Sequence, residues 1–182
     1  WRHVPTNSGA PRVLENEALL KAVGITMASA APTPPSAGLD RAGLSALAGA
    51  DLSAPYVVLH PSPRWRYKQW NDDGWRSLVR SLLERNFTVV VTGGPGDDER
   101  RYLERVLGDL RSPRLIPLPA RLSLAQTADL IRHASLFVGV DTATTHVAAA
   151  TGTPTVAIFG PTDPAIWGPW PRDGGRPYER RG

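Results

Sequence analysis

Residues 141–146 (DTATTH) bring together side chains of the types that grip a phosphate. An apolar run at 136–140 stops abruptly at Asp141, and a helix-length block of Ala, Val and Thr follows over 142–151. A helix that starts there leaves its first backbone N–H groups without partners, and a bound anion satisfies them. Asp141 is the expected N-cap. Its small neighbours Thr142, Ala143 and Thr144 let an anion approach the backbone, the threonine hydroxyls add further bonds, and His146 projects from the first turn. Taken alone, the segment equally describes a structural helix capped by Asp141 with a half-buried histidine beside it.

Two other turns carry complementary chemistry. Residues 60–70 (HPSPRWRYKQW) hold Ser62, Arg64, Arg66 and Lys68 beside three aromatic rings, stiffened by Pro61 and Pro63. Such a loop can aim the Lys68 ammonium at a phosphate, although a solvated basic loop is the plainer account of it. Residues 93–99 (GGPGDDE) place a flexible backbone at Gly94 and three acids at the start of a helix, where acids stabilise the helix dipole in any case. A carboxylate just past a strand end, Glu99 or failing it Asp98, can also accept hydrogen bonds from a ribose diol. With the loop at 160–169, these turns describe a pocket of cation, amides, carboxylates and aromatic walls that suits a nucleotide diphosphate.

The elements that must position these turns alternate regularly from Tyr56 onward. Strands are expected at 56–60, 87–92, 114–118, 136–140 and 155–159, and helices at 73–85, 97–107, 123–133 and 142–151, the last closed by Gly152. The expected fold is α/β, a Rossmann-like parallel sheet with helices on both faces and ligands at the carboxyl ends of the strands. Residues 13–23 read as an amphipathic helix that needs a partner surface and is closed by Gly24, and 27–38 (MASAAPTPPSAG) as a semi-rigid connection. Residues 39–50 form a weak, Gly-interrupted helical stretch. The tail at 174–182 shows no closing helix, and the opening at Trp1 suggests a fragment.

Composition narrows the classes. The chain has 182 residues, enough for one ordinary domain, with 41% hydrophobic and 21% charged residues, a net charge of +4 and no cysteine. Disulfides, thiolate metal sites and a cysteine nucleophile are therefore excluded. Histidines are scattered, so no metal site is expected. The signatures of P-loop NTPases, of dinucleotide oxidoreductases and of serine hydrolases are missing. Arginines are spread rather than interleaved with aromatics along a sheet face, which disfavours nucleic acid. No apolar run approaches the ~20 residues that span a bilayer.

The segment 57–169 resembles the C-terminal, donor-binding domain of the heptosyltransferase family, glycosyltransferase family 9, whose members have the GT-B fold. The resemblance rests on VVLHPSP with the following Lys68-Gln69-Trp70, on VVVTGGPGDDE, on residues 123–162 through VGVDTATTH and AIFGPT, and on the WGP at 167–169. It implies that residues 1–50 are the remnant of an N-terminal domain with its connection, and 51–182 the donor domain. It further implies a sugar-nucleotide donor, typically ADP-heptose, whose heptose passes to a lipopolysaccharide core or similar phosphorylated glycan. Work at the cytoplasmic face of the inner membrane, with peripheral membrane association, is compatible with it. Carried over by position, Lys68, Ser62, Asp141, Thr142, Ala143 and Thr144 would hold the diphosphate, Glu99 or Asp98 with Gly94 the ribose and base, and His146 lies in the same motif. No cofactor and no obligatory metal are implied. The catalytic base belongs to the N-terminal half and is unassigned here. Ala143 stands where a glycine is common in the family. Other sugar-nucleotide transferases or epimerases of the GT-B fold, and a non-catalytic nucleotide-binding module, are the alternatives.

Overall fold

The computed structural model of the chain describes residues 9–29, 31–94, 96–119 and 122–173. Its order is α1 (Arg12–Ala22), α2 (Arg41–Ala48), β1 (Tyr56–His60), α3 (Asp72–Glu84), β2 (Thr88–Gly93), α4 (Asp97–Leu107), β3 (Leu115–Pro119), α5 (Leu124–Arg132), β4 (Leu136–Val140), α6 (Ala143–Thr151), β5 (Thr155–Ile158) and α7 (Pro164–Trp167). The tail at 174–182, expected to lack a closing helix, lies outside the described residues.

All strands pair in parallel in the order β3-β2-β1-β4-β5, so β1 is central and the winding reverses between β1 and β4. Crevices for ligands open at such reversals. Alternate side chains point to opposite faces of the sheet. Val57, Leu59, Val89, Val91, Val138 and Val140 therefore join Trp75, Val79 and Leu82 of α3 and Tyr102, Leu103 and Val106 of α4 in one core. Tyr56, Val58, Val90, Ile116 and Phe137 face the other way, toward Leu44 and Ala48 of α2, Leu130 and Ile131 of α5, and Ala148 of α6. Helices thus cover both faces, as the uninterrupted apolar strands require.

Capping chemistry fixes the helix starts. Asn71 accepts from Gly74 N in α3, Asp40 from Gly43 N in α2, and Ser123 and Gln126 form a reciprocal capping box on α5. Gly152 closes α6 in the left-handed region at φ 81°. In β4, Gly139 is needed for space. A Cβ there would lie 2.7 Å from the Phe137 ring and 2.9 Å from Thr145 Oγ1. Gly139→Ala is expected to cost about 1–3 kcal/mol by overpacking. Thermal unfolding would register this as a fall of several degrees, and an unchanged midpoint would refute the packing account.

The N-terminal elements pack in three ways that the sequence reading left open. Residues 41–48, grouped by sequence with the preceding domain and its connection, are an ordered helix whose Leu44 and Ala48 belong to the sheet's core. The connection itself is tied down at its end: the buried Asp129 carboxylate of α5 accepts from Ser36 Oγ at 2.7 Å, Ala37 N at 2.8 Å and Leu39 N at 3.0 Å, and pairs with Arg132. The amphipathic helix α1 forms and turns at Gly24, but its buried residue is Glu15, held by Arg12. Arg12 also lies over the Trp167 ring, while Leu19, Val23 and Ile25 stay exposed.

Candidate functional site

The loops that follow β1, β2, β4 and β5 leave the sheet at its carboxyl edge, and the unusual polar residues gather there in two groups. The first is built around Asp141. Its backbone N–H still donates to Ile158 O at 3.2 Å, so the residue ends the β4 ladder rather than starting the helix. Thr142, in extended backbone, is the N-cap of α6, and no side chain closes that helix end. The expectation that Asp141 caps α6 is therefore corrected. Its carboxylate turns instead to the Lys68 ammonium, Nζ to Oδ2 at 2.5 Å, and the same oxygen accepts from Thr162 Oγ1 at 2.7 Å. A full charge one loop away outcompetes the neutral amides of the helix end.

This leaves the first turn of α6 open toward the crevice, with its N–H groups and positive dipole end beside an ammonium. Thr145 Oγ1 donates to Val140 O at 2.6 Å and locks the turn from below. Lys68 reaches this place because a short 3-10 turn at Arg66–Lys68 closes its loop, with Lys68 N bonded to Trp65 O at 3.0 Å. The Lys68 and Asp141 side chains are 17% and 8% exposed, so their attraction is less screened than a surface pair's. His146 stands in the first turn of α6, its ring partly in solvent and partly against the protein. Desolvation holds its pKa below the ordinary value, with the Asp141 carboxylate acting against this and Lys68 with it.

The second group lies between β1 and β2. Glu99 Oε2 accepts from Ser62 Oγ at 2.7 Å and from Gly94 N at 2.5 Å. A Cβ on Gly94 would fall 2.6 Å from Glu99 Oε1, so only glycine lets the carboxylate sit there. Ser62, grouped by sequence with Lys68, is thus placed against Glu99 instead. Asp98 points away, exposed and paired with Arg101, so Glu99 is the acid that faces the crevice. Beneath both groups His60 Nδ1 contacts Thr92 Oγ1 at 2.9 Å, and that hydroxyl bonds Leu59 O. Burial lowers the His60 pKa to about 4, despite a bond to the Ser62 backbone that raises it, so the ring is a neutral prop under the loop.

Sequence reasoning did not assign roles to Thr162 or to the His60–Thr92 contact. A hydroxyl in the loop after the last strand of the crevice was the available signal for Thr162. Among the described residues no group of three or more His, Cys, Asp or Glu side chains could hold a metal ion.

The arrangement can bind an anion by one ammonium and an open helix end, and a diol by one oriented carboxylate. Comparison with known proteins shows the family. A family model described as glycosyltransferase family 9 (heptosyltransferase) matches residues 1–174. Lipopolysaccharide heptosyltransferase 1 of Pseudomonas aeruginosa is 38% identical over 144 residues, which cover 78% of this chain and 39% of that protein. Among solved structures, the glycosyl transferase family 9 protein of Veillonella parvula superposes with a TM-score of 0.75 at 15% identity, over 94% of this chain and 49% of the other. The E. coli heptosyltransferase WaaC with ADP gives 0.66 at 23% identity, over 94% and 51%. The chain spans between a third and two fifths of the length of the curated lipopolysaccharide heptosyltransferases 1 and 3 of Pseudomonas aeruginosa and Escherichia coli that it matches.

Proposed function

The chain belongs to glycosyltransferase family 9, the heptosyltransferases, and from that membership we propose that it forms the donor-binding half of an enzyme that moves a heptose from ADP-heptose to a lipopolysaccharide core acceptor. One observation carries this reading. The Lys68 ammonium stands beside the uncapped first turn of α6, at the reversal of winding between β1 and β4. A nucleotide diphosphate fits that place: its oxygens take the N–H groups and hydroxyls around Thr142, Ala143 and Thr144, and Lys68 supplies a directed charge. Glu99, with Gly94 behind it, would meet the ribose hydroxyls, and His146 would flank the phosphates or the sugar.

The chemistry follows from where charge develops. As the bond from the sugar's anomeric carbon to the diphosphate breaks, negative charge grows on the leaving oxygens, and groups already aimed at them stabilise the transition state more than the ground state. Lys68 and the α6 dipole would do this without a metal. The acceptor hydroxyl attacks the same carbon and yields its proton to a base. Asp141 is not assigned that role, since its carboxylate is engaged by Lys68 and Thr162. The base, and most of the acceptor site, would lie in the rest of a GT-B enzyme. A place at the cytoplasmic membrane face accords with the acceptor; among the described residues no helix is long and apolar enough to cross a membrane.

Calorimetric titration of the folded chain with ADP, UDP, GDP and adenosine tests the reading. ADP is expected to bind best, with adenosine far weaker. A folded sample that binds no nucleotide would sink it, and a preference for UDP or GDP would transfer the chain to another donor class.

A further inference from the structure

The loop after β1 points two ways. Pro61, Ser62 and Pro63 are buried and Lys68 turns inward, but Arg64, Trp65, Arg66 and Tyr67 between them are all exposed. Trp65 and Tyr67 keep 54% and 61% of their surface in solvent, an unusual position for large rings on a short, braced turn. Their centroids lie 6.3 Å apart with planes inclined by 16°, so the two rings stack on each other and stiffen the exposed turn. The Arg64 guanidinium lies 5.6 Å from the centroid of the Trp65 ring.

The loop also carries cations. Arg64 and Arg66, in common with other arginines such as Arg80 and Arg85, have no ion pair among the described residues, and they lie within four positions of Lys68. The turn is held nevertheless. Gln69 N bonds Arg66 O at 3.1 Å, Lys68 anchors one end on Asp141, and a Cβ on Gly160 would come within 3.6 Å of Tyr67 O. A braced, exposed patch of two stacked rings and two guanidiniums therefore adjoins Lys68, the residue assigned above to the donor diphosphate.

We propose that Arg64, Trp65, Arg66 and Tyr67 form a binding surface for a phosphorylated saccharide, which holds the acceptor against the donor pocket. This rests on the donor-site reading above and adds that the donor half itself contributes to acceptor recognition. A sugar C–H face packs on the outward side of the stacked ring pair, and the guanidinium forks engage a phosphate in two parallel bonds. A bilayer surface suits the residues less well: the patch is one turn long, lacks the extended apolar stripe of an interfacial helix, and shows ring faces beside a transfer site.

The test compares the intact chain with Trp65→Ala, Trp65→Phe and the double variant Arg64→Ala/Arg66→Ala. The probes are a glucosamine disaccharide with two phosphate monoesters and no acyl chains, the same disaccharide without phosphate, ADP, and phosphatidylglycerol vesicles. Trp65→Ala is expected to weaken the bisphosphate about tenfold, as loss of one stacking platform does, while Trp65→Phe stays near wild type. The double arginine variant is expected to abolish the preference for the phosphorylated disaccharide. ADP affinity is expected to be the same in all four proteins, which also certifies their folding. The proposal is overturned if the wild-type chain binds ADP but not the bisphosphate, if the variants bind it as the wild type does, or if the vesicles alone respond to the substitutions. A wild-type chain that binds the bisphosphate but no ADP would instead overturn the donor reading and leave this surface standing.

Discussion

Replacing Lys68 by alanine is expected to weaken ADP binding by about 10- to 100-fold and to leave adenosine binding nearly unchanged, because a charge-assisted bond to phosphate contributes roughly 1.5–3 kcal/mol. The half-buried setting of the ammonium places the effect in the upper part of that range. The substitution also has a second consequence. Lys68 neutralises Asp141, and without it the carboxylate keeps only the Thr162 hydroxyl and confronts an incoming diphosphate with like charge. Lys68→Ala combined with Asp141→Asn should therefore bind ADP better than Lys68→Ala alone, a non-additivity expected of groups in contact. Calorimetry with ADP and adenosine separates the contributions. Equal losses for both ligands would remove Lys68 from the phosphate.

The largest effect on stability is expected at Asp129, far from the crevice. The carboxylate accepts from one hydroxyl and two backbone N–H groups of residues 36–39 and pairs with Arg132, at 1% exposure. Asp129→Ala leaves these donors without their acceptor, which costs about 3 kcal/mol. For a chain of this size that corresponds to a fall in Tm of about 10 °C. Burial alone would raise the carboxyl's pKa, but the bonds from Ser36, Leu39, Ala37 and Arg132 outweigh it and hold the value at about 2, below the ordinary 3.8. A depressed carboxylate pKa stabilises the fold above the ordinary value, and that contribution disappears as pH falls from about 4 toward 2. The wild type should lose stability across this window, and the variant should lose less. Matching pH profiles for the two proteins would refute the role.

The strands and their covering helices were legible because five apolar runs alternate with amphipathic ones, and a strand buried on both faces has to be apolar throughout. Gly152 and Gly24 announced their turns for the same reason, since few other residues adopt a positive φ. What stayed hidden was pairing over distance. Asp129 lies on a helix, where an acid reads as solvated, and its partners stand 90 or more residues away. Asp141 looked like a cap because capping is decided by neighbours in sequence, whereas its carboxylate is decided by an ammonium 73 positions earlier. The packing of α2 was invisible because Ala and Gly dilute its apolar signal, although Leu44 is buried to 2% exposure. In the site, the residue types that suit a phosphate could be read from the sequence, but the division of Ser62 toward Glu99 and Lys68 toward Asp141 depends on how one loop folds.

The two borders of the sheet differ in their capacity to recruit another chain. Pro117 sits within β3, which gives that border an interrupted row of donors. The strand β5 has no proline, and its Val156 is 49% exposed. Of the two borders, strand addition in a concentrated solution would thus favour β5, whose four residues make a short but proline-free margin. A gatekeeping lysine, introduced to keep the isolated chain dispersed, belongs at Val156 and would leave the Lys68–Asp141 crevice untouched.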